Sequence, residues 1–198
     1  MMPAAGTLLA GDAGRIVYTK SFPGSTPPWI EITLEKSGAA VYKEDPKDEN
    51  PLTFDLSADE AGQIFALADK LDHFTHPLES RLKVANMGMK TFRYDDGQAP
   101  HEVKFNYSEN IDARALNDWF EQIVDSERAF IDLERTVHYD KLGVQDALLR
   151  IEIVRDQKRL VAQPQFLPLL DRVAMSESFL HMARDRAAAL AEKIRAEK

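Results

Sequence analysis

The hydrophobic pattern changes period for good near residue 110 of this chain, and that change limits the fold more than any motif does. From Arg15 to Tyr107 apolar residues alternate in twos; after Asn110 they recur every three to four residues. Period two marks half-buried strands, and a period near 3.6 marks amphipathic helices. In PWIEITLEKSGAAVYKE, Ile30, Ile32 and Leu34 share a face, Lys36-Ser37-Gly38 turns the chain, and Ala39 to Lys43 returns, which predicts a hairpin. KTFRYDDGQAPHEVKFNY predicts a second hairpin, with Phe92 and Tyr94 leading into the turn Asp95-Asp96-Gly97 and Val103, Phe105 and Tyr107 on the returning strand. Arg15 to Phe22 adds a first strand and Leu52 to Leu56 a short one. Between the hairpins, Ser57 and Glu60 form a capping box, in which each side chain satisfies an otherwise unpaired amide, and Ala61, Ile64, Phe65, Ala68 and Leu71 then recur at helical spacing. This half reads as a helix packed on an antiparallel sheet of about five strands.

Asn110 can cap a long helix whose apolar stripe reads Ile111, Ala115, Trp119, Ile123, Phe130 and Val137. Unbroken to about residue 138, it spans roughly 40 Å at 1.5 Å per residue, longer than a small sheet, so it must pair with helices nearer the C-terminus. Val144, Ala147, Leu148, Ile151 and Val154 supply a second stripe; QPQFLP interrupts it, and two further helices carry Leu169, Leu170 and Val173, then Leu180, Ala183, Ala187, Leu190 and Ile194. The expected fold class is α+β: an antiparallel β-sheet with a packed helix over residues 15–107, then an all-helical C-terminal region of about four helices over 108–198. That region forms a bundle or arm, or shares the core of the first. Residues 1–14, MMPAAGTLLAGDAG, read as a disordered tail of a cytoplasmic chain; the alternative, the end of an export signal, requires a start codon further upstream.

Charge and composition narrow the partners. The chain carries 25 basic against 33 acidic side chains, a net charge of −8, and no run of Lys or Arg exceeds a dipeptide. Phosphate binding draws on clustered positive charge, so nucleic acid is not expected as a partner. The absence of cysteine excludes disulfides, thiolate metal sites and cysteine nucleophiles. The longest unbroken apolar runs, such as Ala187 to Ala191, are far short of the roughly 20 residues of a membrane span, so no integral span is expected.

The motifs that could carry chemistry are thin. His73 and His76, in LDHFTHPLE, have the i, i+3 spacing of a shared metal but no third ligand beside them, and Pro77 opposes helix continuation. They read as a polar helix end, so neither metal nor cofactor is expected, with these two histidines the only metal candidates. Glu134 and His138 are one residue too far apart for the Glu-x-x-His of a carboxylate-bridged site, and Glu127 and Asp132 add no second copy of it. Gly24-Ser25-Thr26-Pro27-Pro28 lacks the elbow that makes a serine reactive and reads as a turn. Gly88 between Met87 and Met89 reads as a bulge or strand entry. On the strands, the aromatics Phe92, Tyr94, Phe105 and Tyr107 are assigned to a core face, and Lys90, Arg93 and Lys104 to a wet one. Arg150, Arg155, Lys158 and Arg159 cluster near a helix C-terminus, where cations complement the dipole; they are also the candidates for binding an acidic partner.

Taken together, FPGSTPPWIEITLEKSGAAVYKE, LADKLDHFTHPLE, VANMGMKTFRY, VKFNYS, WFEQIVDSE, YDKLGVQDALLRIE and QFLPLLDRVA resemble a group of uncharacterised bacterial proteins known from genome sequences, over nearly the whole chain from about Ile16 onward. The resemblance implies a bacterial source and attaches no activity, ligand or catalytic residue. From the residues themselves, the leading expectation is a non-catalytic binding or protein-interaction module, working as a homo-oligomer or with a protein partner through its helices. One alternative is an enzyme with a pocket between sheet and helices that uses Glu31, His101 or His138 as acid or base. The other is an exported, envelope-associated structural protein.

Overall fold

The computed structural model describes residues 14–197; the expectations for the N-terminal tail fall on residues 1–13, outside the described residues. Six strands, β1 (Arg15–Ser21), β2 (Trp29–Glu35), β3 (Ala39–Lys43), β4 (Leu52–Asp55), β5 (Met89–Asp95) and β6 (His101–Phe105), form one sheet in the order β4-β3-β2-β1-β5-β6. Every neighbouring pair is antiparallel. All six segments read as strands from the sequence pair in this sheet, the short Leu52–Asp55 included, against the expected total of about five. Five helices complete the fold: α1 (Ala58–Lys70), α2 (Ile111–Tyr139), α3 (Val144–Asp156), α4 (Leu167–Met175) and α5 (His181–Ala196). These elements make an α+β fold with a helical C-terminal region, as the periodicity predicts.

Strand alternation puts Ile16, Tyr18, Ile32, Leu34, Tyr42 and Phe92 on one buried face. The helix α1 lays Ala61, Ile64, Phe65 and Ala68 on that face, and its capping box forms as the sequence predicts, Ser57 Oγ accepting from the Glu60 amide at 3.2 Å and Glu60 Oε2 accepting from the Ser57 amide at 2.7 Å. The first half of α2 covers the same face with Ala113, Leu116, Phe120, Ile123 and Val124, and Phe120 stacks on Tyr18 at 4.6 Å between ring centroids. From Ala129 onward the buried residues of α2 serve a second core, shared with α3, α4, α5 and Phe166, while the half-buried Ile131 still packs against the first. The change of sequence period at Asn110 therefore does not coincide with the boundary between cores, which falls within α2 between Val124 and Ala129.

The buried face of α2 is rotated from the expected stripe. Ile111 is exposed and Ala115 and Trp119 are half-buried, whereas Ala113, Leu116, Phe120, Ile123, Leu133 and Val137 are buried together with Ser126, Glu127 and Thr136. Three polar side chains on the inner face dilute its hydropathy, and Ile111, the first helical residue, is exposed.

The segment between α3 and α4 holds the two cores together. Val161 and Ala162 belong to the first, Leu160 and Phe166 to the second. Ser126 Oγ accepts from the Val161 amide at 2.9 Å, and Glu60 Oε1 accepts from the Ala162 amide at 3.2 Å.

Candidate binding surfaces

HFTH occupies an unusual turn. The helix α1 ends at Lys70 with Leu71 as its cap, and Asp72, His73 and Phe74 come next with φ of 53°, 50° and 67°, three consecutive residues in the left-handed region. Each such residue other than glycine costs roughly 1–2 kcal/mol, so the turn is held by what it buries. It drops Phe74 into the core against Phe92, with ring centroids 5.2 Å apart. The histidine rings point outward: His73 Nε2 lies 2.8 Å from Asp69 Oδ1, with its ring 4.1 Å from that of Tyr94, and His76 Nε2 lies 3.3 Å from Asp72 Oδ2. Each ring thus faces its own carboxylate, and no group of three or more potential metal ligands occurs among the described residues.

The other polar candidates are dispersed. Glu31 sits on the half-buried outer face of the sheet, 3.9 Å from Lys43; His101 is exposed at the start of β6; His138 is exposed at the far end of α2, bonded to the Glu134 carbonyl and to Arg172. None of the three lines any of the five main cavities among the described residues. Ser25 Oγ lies 2.7 and 2.6 Å from the Phe22 and Pro27 carbonyl oxygens, so its proton is used inside the turn.

The four cations at the end of α3 do not form one surface. Arg159 is neutralised by two aspartates of α2, Asp118 at 2.8 Å and Asp125 at 2.8 Å. Arg155 pairs with Glu197 and, with Lys158, lines a cavity of about 480 Å³ on the α5 side. Arg150 turns the other way, into a groove of about 510 Å³ between α2 and α3. There it meets Arg128 of α2, which local spacing could not have joined to it. Leu149 and Ile153, one helical turn apart, are exposed at 44% and 48% and line the aliphatic part of the groove with Val154. Neither Arg128 nor Arg150 has an ion-pair partner among the described residues; of the acids in the groove, Asp125 is committed to Arg159 and Asp146 stands alone.

A second polar constellation lies where the inner face of the sheet meets the first turns of α2. Tyr18 Oη is 3.1 Å from both Asn117 Oδ1 and Glu121 Oε1, and Lys20 Nζ is 2.7 Å from Glu121 Oε1. Burial and the Glu121 carboxylate both push the Tyr18 phenol upward, so it stays protonated. Lys90, assigned from sequence to the wet face, is on the core face and 6% exposed. Its number has the parity of Phe92, so the alternation of MKTFRY, read strictly, places it there. Lys90 Nζ donates to the carbonyls of Asn106 at 2.8 Å, Gly88 at 3.1 Å and Met87 at 3.4 Å. Desolvation by burial, with repulsion from Lys20, lowers its pKa below the usual lysine range.

Compared with known proteins, the chain matches no protein-family model and no curated protein sequence. Among the described residues no helix is long and apolar enough to cross a membrane.

Proposed function

We propose that the protein is a non-catalytic interaction module that docks an acidic amphipathic helix of a partner protein into the α2–α3 groove. The observation that carries this reading is the pair of guanidiniums, Arg128 and Arg150, that form no ion pair among the described residues, beside the exposed Leu149 and Ile153. A partner helix with apolar residues at i and i+4 matches the aliphatic strip, and its carboxylates supply the missing counter-charges in the bidentate geometry that arginine favours. The cavity is lined by residues of two helices, α2 and α3, as the groove of a docked helix is. Exposed apolar residues alone would be unremarkable; their alignment with unpaired cations is what favours an acidic partner.

The test is fluorescence polarisation with labelled amphipathic peptides of equal hydrophobicity, one bearing glutamates and one lysines on the flanks of its apolar face. The acidic peptide is expected to bind in a salt-sensitive way, and the double variant Arg128→Glu, Arg150→Glu to reverse the preference. Equal binding of both peptides, binding of neither, or a dimer of the protein alone that the double variant dissolves would overturn the reading, the last because the occupant is then a second copy.

A further inference from the structure

Independently of the α2–α3 groove, we propose that the cleft between the β5–β6 end of the sheet and the first turns of α2 binds a small organic carboxylate with a flat apolar body, held by Lys90 and Arg114.

The first support is an uncompensated charge. Lys90 is a buried ammonium with no carboxylate within ion-pair distance among the described residues. The two acids nearest in effect, Glu121 and Glu79, are both engaged: Glu121 with Lys20 and Tyr18, and Glu79 with the Asn106 amide at 2.5 Å. Three carbonyl dipoles and the face of the Phe105 ring, 5.9 Å from Nζ to its centroid, solvate the ammonium. A buried charge is ordinarily retained with a counter-ion, so its exposure to a cavity rather than to a carboxylate points to an anion from outside.

The second support is the cavity itself. A space of about 250 Å³ opens beside Lys90, bounded by Met87, Phe105 and Tyr107 on its apolar side and by Arg114, Asn117 and Asp118 on α2. The Arg114 side chain has no hydrogen bond or ion pair among the described residues, whereas Asp118 is neutralised by Arg159 at 2.8 Å. Because Arg159 also serves Asp125, the lining carries two cations, Lys90 and Arg114, against one partly neutralised carboxylate, a net positive charge that one ligand carboxylate matches. Of the three contacts of Lys90, that to Met87 is the long one at 3.4 Å, and Met87 is also a cavity wall; a ligand oxygen replaces that contact and leaves the other two intact. An aromatic or branched body then fills the space between Met87, Phe105 and Tyr107, in the usual division of a small-molecule site into apolar walls and a few fixed polar groups. A hydrated inorganic anion would gain nothing from those walls.

The experiment is ligand-observed NMR on the whole protein with phenylacetate, phenylacetamide and inorganic phosphate as probes. Phenylacetate is expected to bind, and the amide at least about tenfold more weakly, the loss that comes from removing a charge-assisted hydrogen bond. Arg114→Ala, on an exposed helical position, should weaken phenylacetate about fivefold or more, while Lys104→Ala, on the opposite sheet face, should leave it unchanged. Because Lys90→Met risks unfolding the sheet end, Met87→Trp provides the steric arm: it fills the cavity from an exposed loop and should abolish binding. The proposal fails if the amide binds as well as the acid, if phosphate binds as well as phenylacetate, if Arg114→Ala or Met87→Trp has no effect, or if no probe binds at all.

Discussion

The Glu127 carboxylate accepts a hydrogen bond from Gln165 Nε2 at 2.7 Å on one oxygen and meets no donor on the other. It is fully buried on α2 at the junction of the two cores, and its partner belongs to the short turn that enters α4. Burial raises its pKa from 4.5 to about 7, against the opposing effect of the Gln165 hydrogen bond. An acid with a raised folded-state pKa contributes stability that is fully present below its unfolded value and is lost as pH rises through the folded value. Stability is therefore expected to fall by about 3 kcal/mol between roughly pH 4.5 and 7 and to level off above. Denaturant melts across that range measure the slope; Glu127→Gln should flatten it and be the more stable protein at pH 8. A wild-type curve that rises over that window would contradict the burial.

The neighbouring Ser126 tests how the linking segment is held. Its hydroxyl accepts from the buried Val161 amide at 2.9 Å and lies 3.4 Å from the Arg159 carbonyl. Ser126→Ala strands a buried N–H and should cost about 1–3 kcal/mol in urea unfolding. Thr136, equally hidden on the same helix, points its hydroxyl at the Asp132 and Leu133 carbonyls, at 2.9 and 3.0 Å, and both of these already serve the helix. Thr136→Val should therefore cost less than about 1 kcal/mol, and near-equal losses would show that the cross-link to Val161 has no special weight.

The features legible in the sequence are the local ones. The Ser57 capping box, the Asn110 cap and the strand alternation depend on residues a few positions apart, and all of them form. The buried face of α2 differs from the hydropathic stripe because Ser126, Glu127 and Thr136 sit inside on partners from other elements or on their own helix, and hydropathy counts them as outside. Lys90 departs from expectation for the same reason, since a charge scores as wet, although its parity with Phe92 points inward. The groove is only half legible: Arg150 stands out as part of a basic cluster, but Arg128 joins it solely through the packing of α2 on α3, and Arg155 and Arg159 meet carboxylates that no spacing rule would pair with them.

The left-handed turn after α1 gives opposite signs to two nearby substitutions. Asp72→Gly relieves a positive φ of 53° and loses only exposed contacts, the pairing with His76 and a 3.3 Å hydrogen bond from the Thr75 hydroxyl, so a gain of about 0.5–1 kcal/mol is expected. Phe74→Ala empties a site that is 2% exposed and in contact with Phe92, and should cost about 3–5 kcal/mol. Paired thermal melts decide it: destabilisation by Asp72→Gly would mean that the turn is not left-handed in solution.

Gly38 ties the β2–β3 turn to β4. Its φ is +98°, and a Cβ built there would lie 2.5 Å from the Leu56 carbonyl oxygen, a backbone atom that cannot rotate away. The carbonyl of the same glycine accepts from the Leu56 amide at 2.9 Å, so the close approach is what seats the end of β4 just before the Ser57 cap. Gly38→Ala must therefore both strain its own dihedral and push Leu56 outward, lengthening a hydrogen bond beside the first turn of α1. The expected loss is more than about 1 kcal/mol, above the backbone effect alone. Hydrogen exchange separates the causes: accelerated exchange at Leu56 and in the first turn of α1, with β1 and β5 unchanged, is the result expected of a displaced β4. Uniform acceleration across the sheet would instead assign the loss to the global fold.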